Sequence, residues 1–312
     1  MGVTDRAAEA RALREEADVM RMRTVLFAPL LALACSAAPD APERQAEFPS
    51  RHFRTSDGVE LHYLEAGSGP TLVFVPGWTM PADIWEPQLR HFASTHRVVA
   101  FDPRGHGRSE KPTFGYHPSR RARDIAELLR HLGGPPAVVV GWSLGAPEVT
   151  VSAQEFATEA VRAVVLVDWD IHFDPVAERD FVASRIESVL LDRPAYTRAL
   201  IEAIHATPQP EEYLDRLTEA ALAVPATIAA LLSANVALLG PADLRPALRA
   251  LDRPVLLVFS SLDWAMAAAE KARRDLPDVR VEVIGETSHA LFVDKPEEFN
   301  RLLEDFIAAL SG

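Results

Sequence analysis

The chain has 312 residues, of which 48% are hydrophobic and 25% charged, the composition of a soluble globular protein rather than a disordered or fibrous one. Its formal net charge of −13 has the wrong sign for a nucleic-acid partner, because binding phosphate backbones depends on clustered Lys and Arg. The single cysteine, Cys35, allows neither an intramolecular disulfide nor a cysteine-built metal site, and no metal is expected.

Residues 1–35 read as a leader and signal segment. Arg21 and Arg23 precede the apolar run Thr24 to Ala34, which is the pattern of an export signal. That run of 11 residues is too short for a membrane span, which needs about 20. The preceding stretch carries Asp5, Glu9, Glu15, Glu16 and Asp18 and is too acidic for an export leader, which places the natural start at Met20 or Met22; the competing reading is an ordinary amphipathic helix. Leu31-Ala32-Leu33-Ala34-Cys35 resembles a bacterial lipobox, although Ala32 departs from the commoner leucine. The resemblance implies lipidation of Cys35 and an exported enzyme anchored to a membrane, facing the periplasm or the cell exterior. Ordinary cleavage near Ala38, releasing a soluble periplasmic or secreted protein, is the alternative. Residues 36–50, rich in Ala, Pro and Glu, are expected to form a flexible linker.

Two short alternating segments, His52–Thr55 and Val59–Glu65, flank the turn signal Asp57-Gly58 and predict an antiparallel hairpin. Apolar runs then recur at Thr71–Val75, Val98–Phe101, Ala137–Val140, Ala163–Val167, Val255–Phe259 and Val279–Ile284. Continuous β-branched runs separated by helical patterns predict an α/β fold with a mostly parallel sheet flanked by helices. The alternation breaks after Val167, where Ala177–Leu191, Ala195–His205 and Glu211–Leu222 carry helical patterns and no convincing strand intervenes. A structureless loop of that length would be unusual. The expected organisation is therefore a core of residues 51–171 and 245–312, with residues 172–244 inserted as a helical cap.

Gly141-Trp142-Ser143-Leu144-Gly145 matches G-x-S-x-G between a predicted strand and a predicted helix. That context demands a sharp turn with a strained serine at its apex, and small residues on both sides let the backbone pack closely. Ser143 is the candidate nucleophile, and the Leu144 N–H, at a helix N-terminus, a candidate oxyanion donor. A serine hydroxyl needs a base. His289, after the last predicted strand, is that candidate; His52, His62, His91, His96, His106, His117, His131, His172 and His205 do not follow that strand and read as surface, turn or structural residues. The orienting acid is expected at the end of the penultimate strand, which selects Asp263, with Asp168 and Asp170 as rivals.

With these residues in place the chain resembles the α/β-hydrolase superfamily, in the branch with small helical caps that includes esterases, lactonases, cofactor-free haloperoxidases and C–C bond hydrolases. Asp102-Pro103-Arg104-Gly105-His106-Gly107-Arg108-Ser109 is similar to the family's loop after the fourth strand, and Asp294-Lys295-Pro296-Glu297-Glu298-Phe299 to the opening of its last helix. The resemblance places a second oxyanion donor at the Trp78 N–H, in Pro76-Gly77-Trp78, where proline replaces the usual histidine. Trp78 and Trp142 are candidate walls of the substrate pocket or, equally, core residues. The implied activity is hydrolysis of small carboxylic esters or lactones through an acyl-enzyme, without a cofactor. A perhydrolase or C–C hydrolase using the same triad is the alternative within enzymology, and a non-catalytic binding module on the same fold the alternative outside it.

Overall fold

The computed structural model describes residues 48–310, which belong to one compact unit beginning at Ala46; the export-like segment, Cys35 and most of the linker lie outside the described residues. Strands β1 (Ser50–Arg54) and β2 (Glu60–Ala66) form the antiparallel hairpin, and Gly58 at its turn takes a φ of 86°. β3 (Thr71–Val75), β4 (Arg97–Phe101), β5 (Ala137–Trp142), β6 (Val161–Val167), β7 (Val255–Phe259) and β8 (Arg280–Val283) complete an eight-stranded sheet of order β1-β2-β4-β3-β5-β6-β7-β8. From β4 to β8 every pairing is parallel.

The sheet is buried on both faces, so its central strands read as unbroken apolar runs: every residue of β3, β5 and β7 is buried. Successive side chains on β3 go to opposite sides. Val73 and Val75 pack with Ile125 and Leu128 of α2 (Pro118–Leu132), Val149 of α3 (Gly145–Val151) and Ala268 of α9 (Asp263–Asp275). Leu72 and Phe74 pack with Leu89 and Phe92 of α1 (Glu86–Phe92) and with Phe299 and Leu303 of α11 (Pro296–Ala309).

Between β6 and β7 the described chain is helical: α4 (Pro175–Leu191), α5 (Arg193–Ala203), α6 (Glu211–Leu222), α7 (Ala226–Leu239) and α8 (Arg245–Ala250). The ends of this excursion are stitched together by a bridge between His172 and Asp243 and by the Leu244 N–H donating to the Ile171 carbonyl at 2.7 Å. Four of its prolines stand at helix starts, where the missing N–H costs nothing: Pro175 and Pro194 lie in first turns, and Pro210 and Pro225 immediately precede α6 and α7. Asp174 caps α4 by accepting from the backbone of Val176 and Ala177 at 2.7 and 3.2 Å. Helix α7 has no counterpart in the sequence reading, because its segment is apolar nearly all round and shows no helical period.

Candidate active site

The C-terminal ends of β5, β6 and β7 lie side by side, and the loops leaving them meet there, where ligand sites of open parallel sheets form. Ser143 turns the chain from β5 into α3 with a φ of 53°, a conformation in which a non-glycine residue is strained. The flanking glycines make the turn possible. A Cβ on Gly141 would stand 2.5 Å from the Gly145 carbonyl oxygen, and one on Gly145 would stand 2.7 Å from that of Val75. The Ser143 N–H is tied to the Val167 carbonyl at 2.9 Å, which fixes the turn against the next strand.

His289 lies in the loop between β8 and the short helix α10 (Leu291–Asp294). Its Nδ1 stands 2.7 Å from Oδ2 of Asp168, whose side chain is fully buried while that of His289 is 23% exposed. Asp168 also accepts from the Ser260 N–H at 2.7 Å and the Ser260 hydroxyl at 3.1 Å, so the carboxylate is held by three donors. This corrects the expectation for Asp263. Asp263 is the exposed first residue of α9 and makes no hydrogen bond to His289, whereas Asp168, weighed as a rival, occupies the acid's place. The reason is the parallel pairing of β6 with β7, Val167 opposite Val258, which brings both strand ends to one spot. There Ser260, after β7, contributes donors, and Asp168, after β6, contributes the charge. Asp170 is paired instead with Lys271 at 2.8 Å.

The histidine loop is clamped from several sides. The Trp142 indole donates to the His289 carbonyl at 2.8 Å, and the Ala290 N–H donates to the Ile204 carbonyl at 2.7 Å. Ser261 Oγ donates to the Thr287 carbonyl and accepts from the Thr287 N–H, both at 3.0 Å. Trp142 is 1% exposed and its ring packs against those of His289 and Phe292, each at 5.1 Å. It supports the histidine from below rather than walling a pocket.

Facing the elbow is the segment Pro76-Gly77-Trp78-Thr79. A Cβ on Gly77 would stand 2.9 Å from Ser143 Cβ, so only a glycine lets this segment approach the serine. Thr79 takes a φ of 58°, and its N–H donates to His106 Nε2 at 3.0 Å. That leaves Nδ1 of His106 to carry the proton and donate to the Arg104 carbonyl at 3.1 Å. Burial, reinforced by the charge of Arg121, lowers the His106 pKa to about 3 and keeps the ring neutral. Asp102 accepts from the Ala82 N–H at 2.6 Å and stands 2.7 Å from His62 Nδ1. His106 and Asp102 thus brace the segment from behind, a role the sequence reading assigned only as structural. The N–H groups of Trp78 and Leu144 find no acceptor among the described residues.

Beside Leu144 lies a small, mainly apolar cavity of about 30 Å³, lined by Tyr116, Trp169, Phe173, Leu232 and Val236 among others. The buried Trp169 indole nitrogen has no hydrogen-bond partner there. Trp78 and Trp142 do not line it; Trp78 is buried in a neighbouring cluster with Leu144, Tyr116 and Ile228, its indole donating to the Ala229 carbonyl at 2.9 Å. Among the described residues no group of three or more His, Cys, Asp or Glu side chains is placed to hold a metal ion.

A sequence model described as "Alpha/beta hydrolase family" matches residues 72–302. A 2-(acetamidomethylene)succinate hydrolase from Mesorhizobium japonicum is 31% identical over 276 residues, covering 85% of this chain and 99% of that protein. The non-heme chloroperoxidase CPO-A1 from Kitasatospora aureofaciens is 28% identical over 81% of this chain and 98% of its own. An esterase structure from Exiguobacterium antarcticum superposes with a TM-score of 0.74 over 84% of this chain and 99% of that one, at 21% identity, a likeness of fold.

Proposed function

The chain belongs to the alpha/beta hydrolase family, and on that basis we propose that it is a serine hydrolase that cleaves small carboxylic esters or lactones through an acyl-enzyme. The observation that carries this reading is the 2.7 Å contact between His289 Nδ1 and a fully buried Asp168, at the mouth of a strained elbow bearing Ser143. Asp168 holds the proton on Nδ1, which leaves Nε2 as the lone pair that takes the Ser143 proton. Ser143 Oγ attacks the carbonyl carbon, and the N–H groups of Leu144 and Trp78 receive the developing oxyanion. His289 then protonates the departing alkoxide and, in the second half, activates the water that releases the acid. The chloroperoxidase relative favours a second reading, in which peroxide takes the place of that water.

The test combines fluorophosphonate labelling with a panel of chromogenic esters and lactones, run with and without hydrogen peroxide. Label on Ser143 and ester turnover that vanishes in Ser143→Ala support the proposal. Label that persists in the alanine variant refutes it.

Export and anchoring through Cys35 are proposed alongside, on the strength of the basic start, the short apolar run and the cysteine that closes it. More than one acyl chain, or one with a second signal, is what stable anchoring requires.

A further inference from the structure

Among the described residues the partly buried arginines are tied to an acceptor, with one exception. Arg104 binds Asp124, Arg121 binds Glu148, Arg245 binds Asp243 and Asp275, and Arg193, without a carboxylate, donates to the Ala221 carbonyl. Arg185, on the inner side of α4, makes no hydrogen bond and no ion pair among the described residues, and its Nε is buried without an acceptor. Its guanidinium carbon sits 5.2 Å over the Trp78 ring and 4.4 Å over that of Phe181. Glu178, a carboxyl group that feels its charge, is not within 4.0 Å of it. Two aromatic faces recover part of the lost hydration, but an arginine fork with an unused donor is costly to keep away from water.

The position of this cation matters because of what lies beneath it. Trp78 carries the proposed oxyanion donor and follows Gly77, on which a Cβ would stand 2.9 Å from Ser143 Cβ. Trp78 therefore links the elbow to Arg185, its backbone following the glycine that faces Ser143 and its ring lying against the guanidinium. We propose that Arg185 is the receptor for a carboxylate on the substrate, and that the preferred substrates are anionic: monoesters, or lactone equivalents, of short dicarboxylic acids. A guanidinium matches a carboxylate with two parallel N–H···O bonds, and the two aromatic rings against it leave the edge of the fork for that approach.

The inference rests on the acyl-enzyme reading for its chemistry. Ser143 Oγ forms a bond to the ester carbon, the ester C–O bond breaks, and the proton passes through His289 to the alcohol. Water then releases the dicarboxylate, while the distal carboxylate stays unchanged on Arg185 throughout.

p-Nitrophenyl hemiglutarate and p-nitrophenyl valerate have acyl arms of the same length and differ in the terminal charge, so the ratio of their kcat/KM values reads the site. The ratio is expected to favour the hemiglutarate in the wild type and to fall by about 10- to 100-fold in Arg185→Gln, the range of a hydrogen bond to a charged group. Arg185→Lys, which keeps the charge and loses the fork, should recover part of it. A ratio that is unchanged in Arg185→Gln, or a wild type that favours valerate, overturns the proposal. If the wild type cleaves neither ester, the acyl-enzyme reading is what has failed, and calorimetric titration with glutarate then decides the binding site alone. Weaker glutarate binding by Arg185→Gln supports it; equal binding, or none by the wild type, overturns it.

Discussion

The Trp142 indole donates to the His289 carbonyl oxygen at 2.8 Å, so the residue preceding the candidate nucleophile fastens the loop that carries the candidate base. Elbow and base are thereby held in one register across 147 residues of chain. Trp142→Phe keeps the ring and removes the donor. A neutral hydrogen bond is worth roughly 0.5–1.5 kcal/mol net, so kcat should fall about 2- to 10-fold with KM little changed. Steady-state kinetics on a neutral ester checks this, and an unaltered kcat would show that the loop is positioned without the indole.

Asp168→Asn should reduce kcat by a factor on the order of 10⁴, because an amide in that place misorients the imidazole tautomer, as in the Ser-His-Asp template. Asp263→Asn should stay within about threefold of the wild type, since the side chain is exposed at a helix start. The reverse ranking would return the acid to the loop after β7.

Gly77→Ala adds a methyl group 2.9 Å from Ser143 Cβ, which must push the Trp78 segment away from the elbow. Loss of one oxyanion donor costs about 10² to 10³ in rate, and a displaced one should cost up to about 10². The decrease should appear in kcat with KM changed less, and fluorophosphonate labelling of Ser143 should slow in parallel. Full activity in this variant would remove the Trp78 N–H from the mechanism.

His106 gives a stability signature in acid. Its folded pKa of about 3 lies below the ordinary value of 6.5, so between those limits the unfolded chain binds a proton that the folded chain excludes. Stability is therefore complete above about pH 6.5 and declines as pH falls toward 3, by up to about 1.4 kcal/mol per pH unit from this group. His106→Gln lacks the titrating ring, and its denaturant-unfolding free energy should depend less steeply on pH across that window. Parallel slopes for the two proteins would show that His106 is not buried neutral.

Expression from Met20 with labelled palmitate should label the parent chain and leave Cys35→Ala unlabelled. A parent chain without label would exclude the lipoprotein and leave export as a soluble enzyme.

The sequence by itself determined the layered architecture and pointed to two of the three residues proposed here as the triad. Unbroken apolar runs such as Thr71–Val75 and Val255–Phe259 can only be strands buried on both faces, and G-x-S-x-G between a strand and a helix specifies a local backbone turn. His289 was legible for a similar reason, as the histidine following the last strand. These are local signals, written within a few residues. The acid was not local. Asp168 and Asp263 each follow an apolar strand, and only the pairing of β6 with β7, together with the donors of Ser260, places one against His289 and leaves the other at an exposed helix start. Arg185 shows the same limit, because its pairing with Trp78 joins residues 107 positions apart and its lack of a counter-ion is a property of packing. Periodicity records which face of an element is buried; which charge meets which partner is decided when distant elements close over one another.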